Sequence, residues 1–282
     1  MSRITLFKIL MVAAMFVVTS ACQSGFNRGP DPTVASIEAV TGPFVTSTTT
    51  VGNGFGFGGG TIYYPTDSSQ DYGVVAIAPG WTSSQSVISW YGPRIASQGF
   101  VVITIDVNNP FTDGPVARGT QLLAALDYVS NSSTVTSIVD GDRQAVMGIS
   151  MGGGGALEAA KARPALDAVV GLVPWNPDKT WPEIVTPTML IGCQNDAVAP
   201  VSSHGLPFYN TISGVPKSFI EVTDGSHSCT STSNSDVADR AVIAGESIAW
   251  LKRYVDQDTR YAPFVCPSPA ISGSVSAAQS NC

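Results

Sequence analysis

The sequence predicts a mixed α/β fold, a mostly parallel central sheet flanked by helices, and two observations carry that prediction. Short continuous apolar runs recur at 73–78, 100–106, 145–147, 168–173, 188–192 and 218–222, each with the length and composition of a strand buried on both faces. Stretches with helical spacing lie between them, at 88–97, 121–129 and 156–162, and a last one follows at 237–254. Strands alternating with helices at this period imply crossover connections and therefore a parallel sheet. No internal repeat or heptad run competes with this reading.

Composition sets the outer bounds. With 282 residues, 44% of them hydrophobic and only 12% charged, the chain can bury one large core, and residues 34–282 read as a single domain. A formal charge of −7 and the lack of any Lys/Arg cluster argue against nucleic acid as a partner. The chain is expected to act as a monomer.

Residues 1–21 read as a secretory signal rather than as fold. Arg3 and Lys8 precede an apolar run from Ile9 to Val18, and Thr19-Ser20-Ala21 forms a small-residue cleavage site. The run is too short for a comfortable membrane span. The protein is thus expected to be exported, and exported chains pair their cysteines. Of five cysteines, Cys22 is the odd one, placed where a bacterial lipoprotein carries its lipid. Thr19 stands where such a motif usually has an aliphatic residue, so two outcomes stay open: membrane attachment through lipidated Cys22, or cleavage and free secretion. Residues 22–33 read as a tether or disordered start.

Along the chain, the Thr- and Gly-rich stretch 44–60 closes on Thr61-Ile62-Tyr63-Tyr64-Pro65, a β-type run. Gly54-Phe55-Gly56-Phe57-Gly58-Gly59 matches the dinucleotide-binding string, but no helix follows and no buried strand feeds it. An irregular β-hairpin is the better reading. The strand at 73–78 ends at Pro79-Gly80-Trp81-Thr82-Ser83-Ser84, where a second oxyanion N–H is expected, although an ordinary loop with Trp81 packed against it would look the same.

The sharpest signal is Gly148-Ile149-Ser150-Met151-Gly152, continued by Gly153, Gly154 and Gly155. It joins an apolar strand to a helix, which is the context of a nucleophile elbow. Glycines allow the backbone to turn tightly and hold Ser150 in a strained conformation with its hydroxyl clear of the sheet. The pentapeptide alone is weak evidence, so its partners decide.

A serine nucleophile needs a base, and the chain has only two histidines. His227, in the loop after the strand 218–222, would sit at the same sheet edge as Ser150. His204 lies in a Pro/Ser/Gly-rich stretch and reads as structural. The acid must follow a strand end and reach the imidazole, and Asp196 comes directly after the strand 188–192. Asp224 is too near His227 to approach the ring from behind and reads as a turn former, while Asp178 sits in a Pro/Asn loop. The chain order Ser150, Asp196, His227 is that of the α/β-hydrolase fold. Cys193 lies three residues before Asp196 and Cys229 two after His227, so a bridge between them would pin the acid and base loops together. Cys266 and Cys282 would close the C-terminal tail, which holds Pro267 and Pro269 and no predicted element.

These segments resemble the bacterial cutinase-like polyester hydrolases, the family that includes poly(ethylene terephthalate) (PET) hydrolases. The resemblance is carried by Pro79 to Ser83, Arg94 to Asp106, Gly148 to Gly155, Asn195-Asp196, Gly225 to Cys229 and Asp258-Thr259-Arg260-Tyr261, and it spans nearly all of the mature chain. It implies Ser150, Asp196 and His227 as the triad and the backbone N–H groups of Trp81 and Met151 as the oxyanion hole. It also implies an open groove lined by Trp81, Met151, Trp175 and Val198. Ile149 replaces the aromatic or His often found in the elbow and would reshape the groove beside the nucleophile. His204 and Phe208 match the larger residues that back the groove Trp in ordinary cutinases. The Cys193 and Cys229 pair occupies the region where thermophilic relatives bind calcium, so no metal and no cofactor are expected.

The reading that results is a serine ester hydrolase acting on polyesters and short-chain soluble esters, without a lid. A carboxylesterase or lipase for soluble esters or triacylglycerols is the near alternative. A non-catalytic surface lipoprotein that adsorbs to hydrophobic polymers is the distant one.

Overall fold

The computed structural model describes residues 27–266 and 274–281. Nine strands form one sheet: β1 (Thr46–Val51), β2 (Gly60–Pro65), β3 (Tyr72–Ala78), β4 (Phe100–Ile105), β5 (Val139–Ile149), β6 (Ala168–Leu172), β7 (Thr188–Cys193), β8 (Lys217–Val222) and β9 (Val275–Asn281). Their spatial order is β1-β2-β4-β3-β5-β6-β7-β8-β9. The pairs from β4 through β8 are parallel, and the antiparallel pairs β1/β2, β2/β4 and β8/β9 flank them. The helices are α1 (Val34–Glu38), α2 (Tyr91–Ala96), α3 (Pro115–Asn131), α4 (Met151–Ala162), α5 (Gly205–Thr211), α6 (Val237–Tyr254) and α7 (Ala262–Val265).

Side-chain alternation splits each central strand between two cores. Val75 and Ile77 of β3 join α2 and α6 on one face, with Ile95, Ile248 and Trp250. Val74, Ala76 and Ala78 join α3, α4 and α5 on the other, with Leu122, Leu157 and Phe208. Strands apolar at every position are therefore satisfied on both sides, the physical reason such runs appear without a polar alternate. Register then gathers the strand ends: Ala78 pairs with Gly148, and Ile149 with Leu172. The segments leaving β3, β5 and β6 consequently emerge side by side, where ligand crevices of parallel sheets form.

Several expectations are corrected. The tail is not irregular: β9 pairs antiparallel with β8, Lys217 opposite Asn281. Its residues, Val-Ser-Ala-Ala-Gln-Ser-Asn, are small and polar because an edge strand with one buried residue, Val275, needs little apolar surface. The helix expected at 121–129 begins earlier, with Pro115 in its first turn. Of the segment 22–33, read as a tether or disordered start, residues 22–26 lie outside the described residues, and polar contacts begin at Asn27. The Arg260 guanidinium bonds the Asp31 carboxylate and the Gly29 carbonyl, and Asn27 N–H donates to Gln70. The Gly-rich stretch does join a hairpin, β1 to β2. The expected signal peptide, Cys22 and Cys282 lie outside the described residues; Cys266, the partner expected for Cys282, is disulfide-bonded. No helix among the described residues is long and apolar enough to cross a membrane.

Candidate active site

Ser150 occupies the junction of β5 and α4 with φ 56° and ψ −119°, a left-handed conformation costly for a residue with a side chain. Its N–H donates to Leu172 O at 2.9 Å, and its carbonyl accepts from Trp175 N–H at 2.9 Å and from Gly154 N–H at 2.9 Å. These bonds hold the strained residue from three sides. Two glycines make the turn possible by close approach: a Cβ on Gly148 would stand 2.2 Å from Gly152 C, and one on Gly152 would stand 2.3 Å from Ala78 O.

His227 reaches this serine from the loop after β8. Its Nε2 lies 2.9 Å from Ser150 Oγ, and its Nδ1 lies 2.7 Å from Asp196 Oδ2. Asp196, just past β7, has a fully buried carboxylate. Its other oxygen accepts the N–H groups of Val198 and Ala199, each at 2.8 Å. Burial pushes the Asp196 carboxyl up, but the bonds from His227, Ala199 and Val198 outweigh it and hold the group below the usual carboxylate range. An ionised acid behind Nδ1 fixes the imidazole tautomer and leaves Nε2 free to accept the serine proton.

The acid and base loops are joined at several points. Cys193 and Cys229 form a disulfide with Cα atoms 6.5 Å apart. Asn195 N–H donates to Gly225 O at 2.8 Å, and Asp224 N–H to Gln194 Oε1 at 2.9 Å. Asp224, with φ 53°, shapes the turn. Asp178 caps its own loop through Thr180.

A cleft of about 620 Å³ opens above the serine, and its lining includes Trp81, Ile149, Ser150, Val198 and His227. Trp81 and Val198 are each 56% exposed, so the cleft is flanked by apolar side chains facing outward. The remaining groove candidates stand elsewhere. Met151 is half-buried at the first position of α4, and Trp175 is half-buried with its ring stacked on His204 at 6.2 Å between centroids and 28° between planes. His204 is buried and meets Phe208 edge-on at 5.8 Å. Phe208 is a core residue packed on Trp181 behind His204, and it is not among the residues that line the cleft. Desolvation lowers the His204 pKa, in keeping with a neutral, packed ring.

Lining residues that the sequence did not assign to the groove include Val87, Asn195, Ser226, Ser228 and Ser231. Asn195, Ser226 and Ser228 are chain neighbours of Asp196 and His227, a usable local signal. Val87 and Ser231 carry none: they meet because Thr232 N–H donates to Val87 O at 2.8 Å, a contact between distant segments.

The N–H groups of Trp81 and Met151 flank Ser150 from the β3 loop and from α4, and neither is among the backbone donors that find an acceptor within the described residues. Gly80 lies against the serine, where a Cβ would come 3.1 Å from Ser150 Cβ. Among the described residues no group of three or more His, Cys, Asp or Glu is placed to hold a metal ion.

A family model described as PET hydrolase-like matches residues 20–282. The chain is 50% identical over 266 residues to a bis(hydroxyethyl) terephthalate hydrolase of Streptomyces coelicolor, covering 93% of this chain and 84% of that protein. It is 48% identical over 249 residues to cutinase est1 of Thermobifida alba, covering 86% and 81%. With cutinase 1 of Thermobifida cellulosilytica it shares 46% over 264 residues, covering 91% and 98%. The family-model match takes in the whole sheet and every residue of the site, and the chain belongs to the PET hydrolase-like family.

Proposed function

We propose that this carboxylic ester hydrolase is an exported polyesterase that cleaves PET, aliphatic or cutin-like polyesters and short-chain soluble esters through an acyl-enzyme on Ser150. The observation that carries the proposal is the unbroken relay Ser150, His227, Asp196, with contacts of 2.9 and 2.7 Å, at the floor of an uncovered cleft. The names of its relatives, a terephthalate-ester hydrolase and cutinases, support the substrate class.

In the proposed reaction His227 Nε2 takes the Ser150 proton as Oγ attacks the ester carbonyl carbon. The carbonyl π electrons move to oxygen, and the oxyanion is received by the Trp81 and Met151 N–H groups. Collapse breaks the acyl C–O bond, and the imidazolium returns its proton to the leaving alkoxide. Water then enters, gives its proton to His227 and attacks the acyl-enzyme, and Ser150 leaves reprotonated. Asp196 stays ionised throughout and stabilises the imidazolium. Because exposed Trp81 and Val198 flank the cleft, a flat or extended chain can lie across it without threading into a tunnel.

Export by the 1–21 signal would deliver the enzyme to insoluble substrate, with Cys22 either lipidated or lost with the leader. The reading is tested by product release from a PET film and an aliphatic polyester film beside the rate on a dissolved ester, using purified mature protein. Release of soluble acids or diol esters from either film supports it; turnover of the dissolved ester alone assigns the chain to the soluble carboxylesterases.

A further inference from the structure

One buried side chain holds the loop that follows β3 at both ends. Arg118, on α3, is fully buried, and each of its nitrogens donates to a backbone carbonyl. Nε bonds Asp113 O at 2.9 Å, Nη1 bonds Pro79 O at 3.0 Å, and Nη2 bonds Pro110 O at 3.2 Å. The nearby Asp113 carboxylate is engaged elsewhere, accepting Asn109 N–H at 2.8 Å and Gln121 Nε2 at 2.9 Å.

We infer that Arg118 is a positioning residue for the oxyanion-binding turn 79–82, fixing the Trp81 N–H relative to Ser150. Its first hold is direct, on the Pro79 carbonyl. Its second runs through Pro110, whose carbonyl accepts both Arg118 Nη2 and the Thr82 N–H, the latter at 3.0 Å. The Gly80–Trp81 peptide, source of the Trp81 N–H, is suspended between these two anchored points.

Within the turn that peptide has one long bond, Ser83 N–H donating to Gly80 O at 3.3 Å, and little else local restrains it. Gly80 has no side chain to restrict it. Thr82 sits at φ 56°, a conformation that persists only when surrounding contacts demand it. The Trp81 side chain is fixed outside the turn, its Nε1 donating to Phe111 O at 3.1 Å. On the inner side the Pro79 carbonyl meets the first turn of α4, where a Cβ on Gly152 would stand 2.6 Å away. Thus the carbonyl gripped by Arg118 also abuts the helix that carries the Met151 N–H. Arginine suits the place because its planar fork can serve three carbonyls at once, which an ammonium on a flexible stem does not reproduce.

The inference rests on the acyl-enzyme reading with Trp81 N–H as an oxyanion donor, and its test keeps the two apart. Arg118→Gln and Arg118→Lys are to be compared with the unaltered enzyme on a dissolved p-nitrophenyl ester. Circular dichroism and a melting temperature above the assay temperature establish that each variant is folded. In Arg118→Gln we expect kcat to fall about 10- to 100-fold with KM within about twofold, a displaced donor costing somewhat less than a deleted one. Inhibition by a trifluoromethyl ketone, which forms a tetrahedral oxyanion on the serine, should weaken by the same factor as kcat/KM. Arg118→Lys should recover part of the loss, and it carries the test alone if the Gln variant does not fold. A purely structural role would lower the melting temperature and leave kcat of the folded protein and ketone affinity unchanged. A folded Arg118→Gln variant with kcat within about threefold of the unaltered enzyme, or, where that variant does not fold, an Arg118→Lys variant with kcat and ketone affinity unchanged, overturns the inference. Failure of the underlying reading shows separately, as an unaltered enzyme whose Ser150 no phosphonate labels.

Discussion

The disulfide between Cys193 and Cys229 joins the end of the strand that presents Asp196 to the loop that presents His227. The bond closes 36 residues of chain and brings Asp196 and His227, the acid and base of the proposed triad, 31 residues apart in sequence, under one covalent constraint. Replacing both cysteines by Ala should cost about 3–4 kcal/mol by the loop-entropy relation, a fall in melting temperature of roughly 7–15 °C. Differential scanning calorimetry checks it. Because the Asn195 and Asp224 backbone bonds still join the loops, kcat at low temperature should fall far less than in any triad variant.

Asp196→Asn keeps the shape of the acid while removing its charge. The Val198 and Ala199 N–H groups still find an acceptor, but the amide favours the wrong imidazole tautomer, so kcat should drop by about 10³- to 10⁴-fold. Stopped-flow or steady-state rates on a dissolved ester report it. Since the folded Asp196 pKa is depressed, its ionisation stabilises the fold above the ordinary carboxylate range, and that contribution is lost as pH falls below about 3.8.

Phe208→Ala distinguishes a core residue from a groove residue. Phe208 is fully buried between Trp181 and His204, so truncation should cost about 3–5 kcal/mol of stability. KM for a short dissolved ester should stay within about twofold, because the side chain is fully buried and not among the residues that line the cleft. Urea unfolding and steady-state kinetics on the same preparation provide both readouts.

Glu246, on α6, makes stability pH-dependent. It lines a cavity of about 60 Å³ with Val34, Ile37 and Glu38, and its Oε2 has no hydrogen-bond partner. Burial, and then the Glu38 charge, push its carboxyl up to about 8 from an ordinary 4.5. Between those values the folded chain keeps the proton that the unfolded chain has released. Stability therefore falls as pH rises through the window, by up to about 1.4 kcal/mol per unit, and levels off above 8. Glu246→Gln should flatten this slope and be more stable than the unaltered protein at pH 9; urea titrations at pH 5, 7 and 9 measure it.

Much of the site was legible because its chemistry leaves few choices. A serine on a Gly-flanked turn needs a base, and of two histidines His227 lies in the short loop after the strand 218–222 while His204 lies in a Pro/Ser/Gly-rich stretch; Asp196 directly follows the strand 188–192. The central strands were legible because burial on both faces leaves continuous apolar runs. What stayed hidden depends on partners distant in sequence. β9 has too few apolar residues to announce itself and exists because β8 offers a free edge. Docking of residues 27–31 depends on Arg260, more than two hundred positions away. Phe208 could be matched to the groove by resemblance, but its burial behind His204 is a fact of packing. Arg118 looks in the sequence like any helix arginine, and only the meeting of three carbonyls around it gives it a role.

Active-site titration tests the central claim most directly. Incubation of the mature enzyme with a serine-directed p-nitrophenyl phosphonate should release one equivalent of p-nitrophenol, and peptide mass spectrometry should place the adduct on Ser150. The same reagent should leave Ser150→Ala unlabelled and inactive, and label His227→Ala at least about 10²-fold more slowly. An adduct on any other residue, or a folded Ser150→Ala variant that still hydrolyses a dissolved ester, would contradict the account.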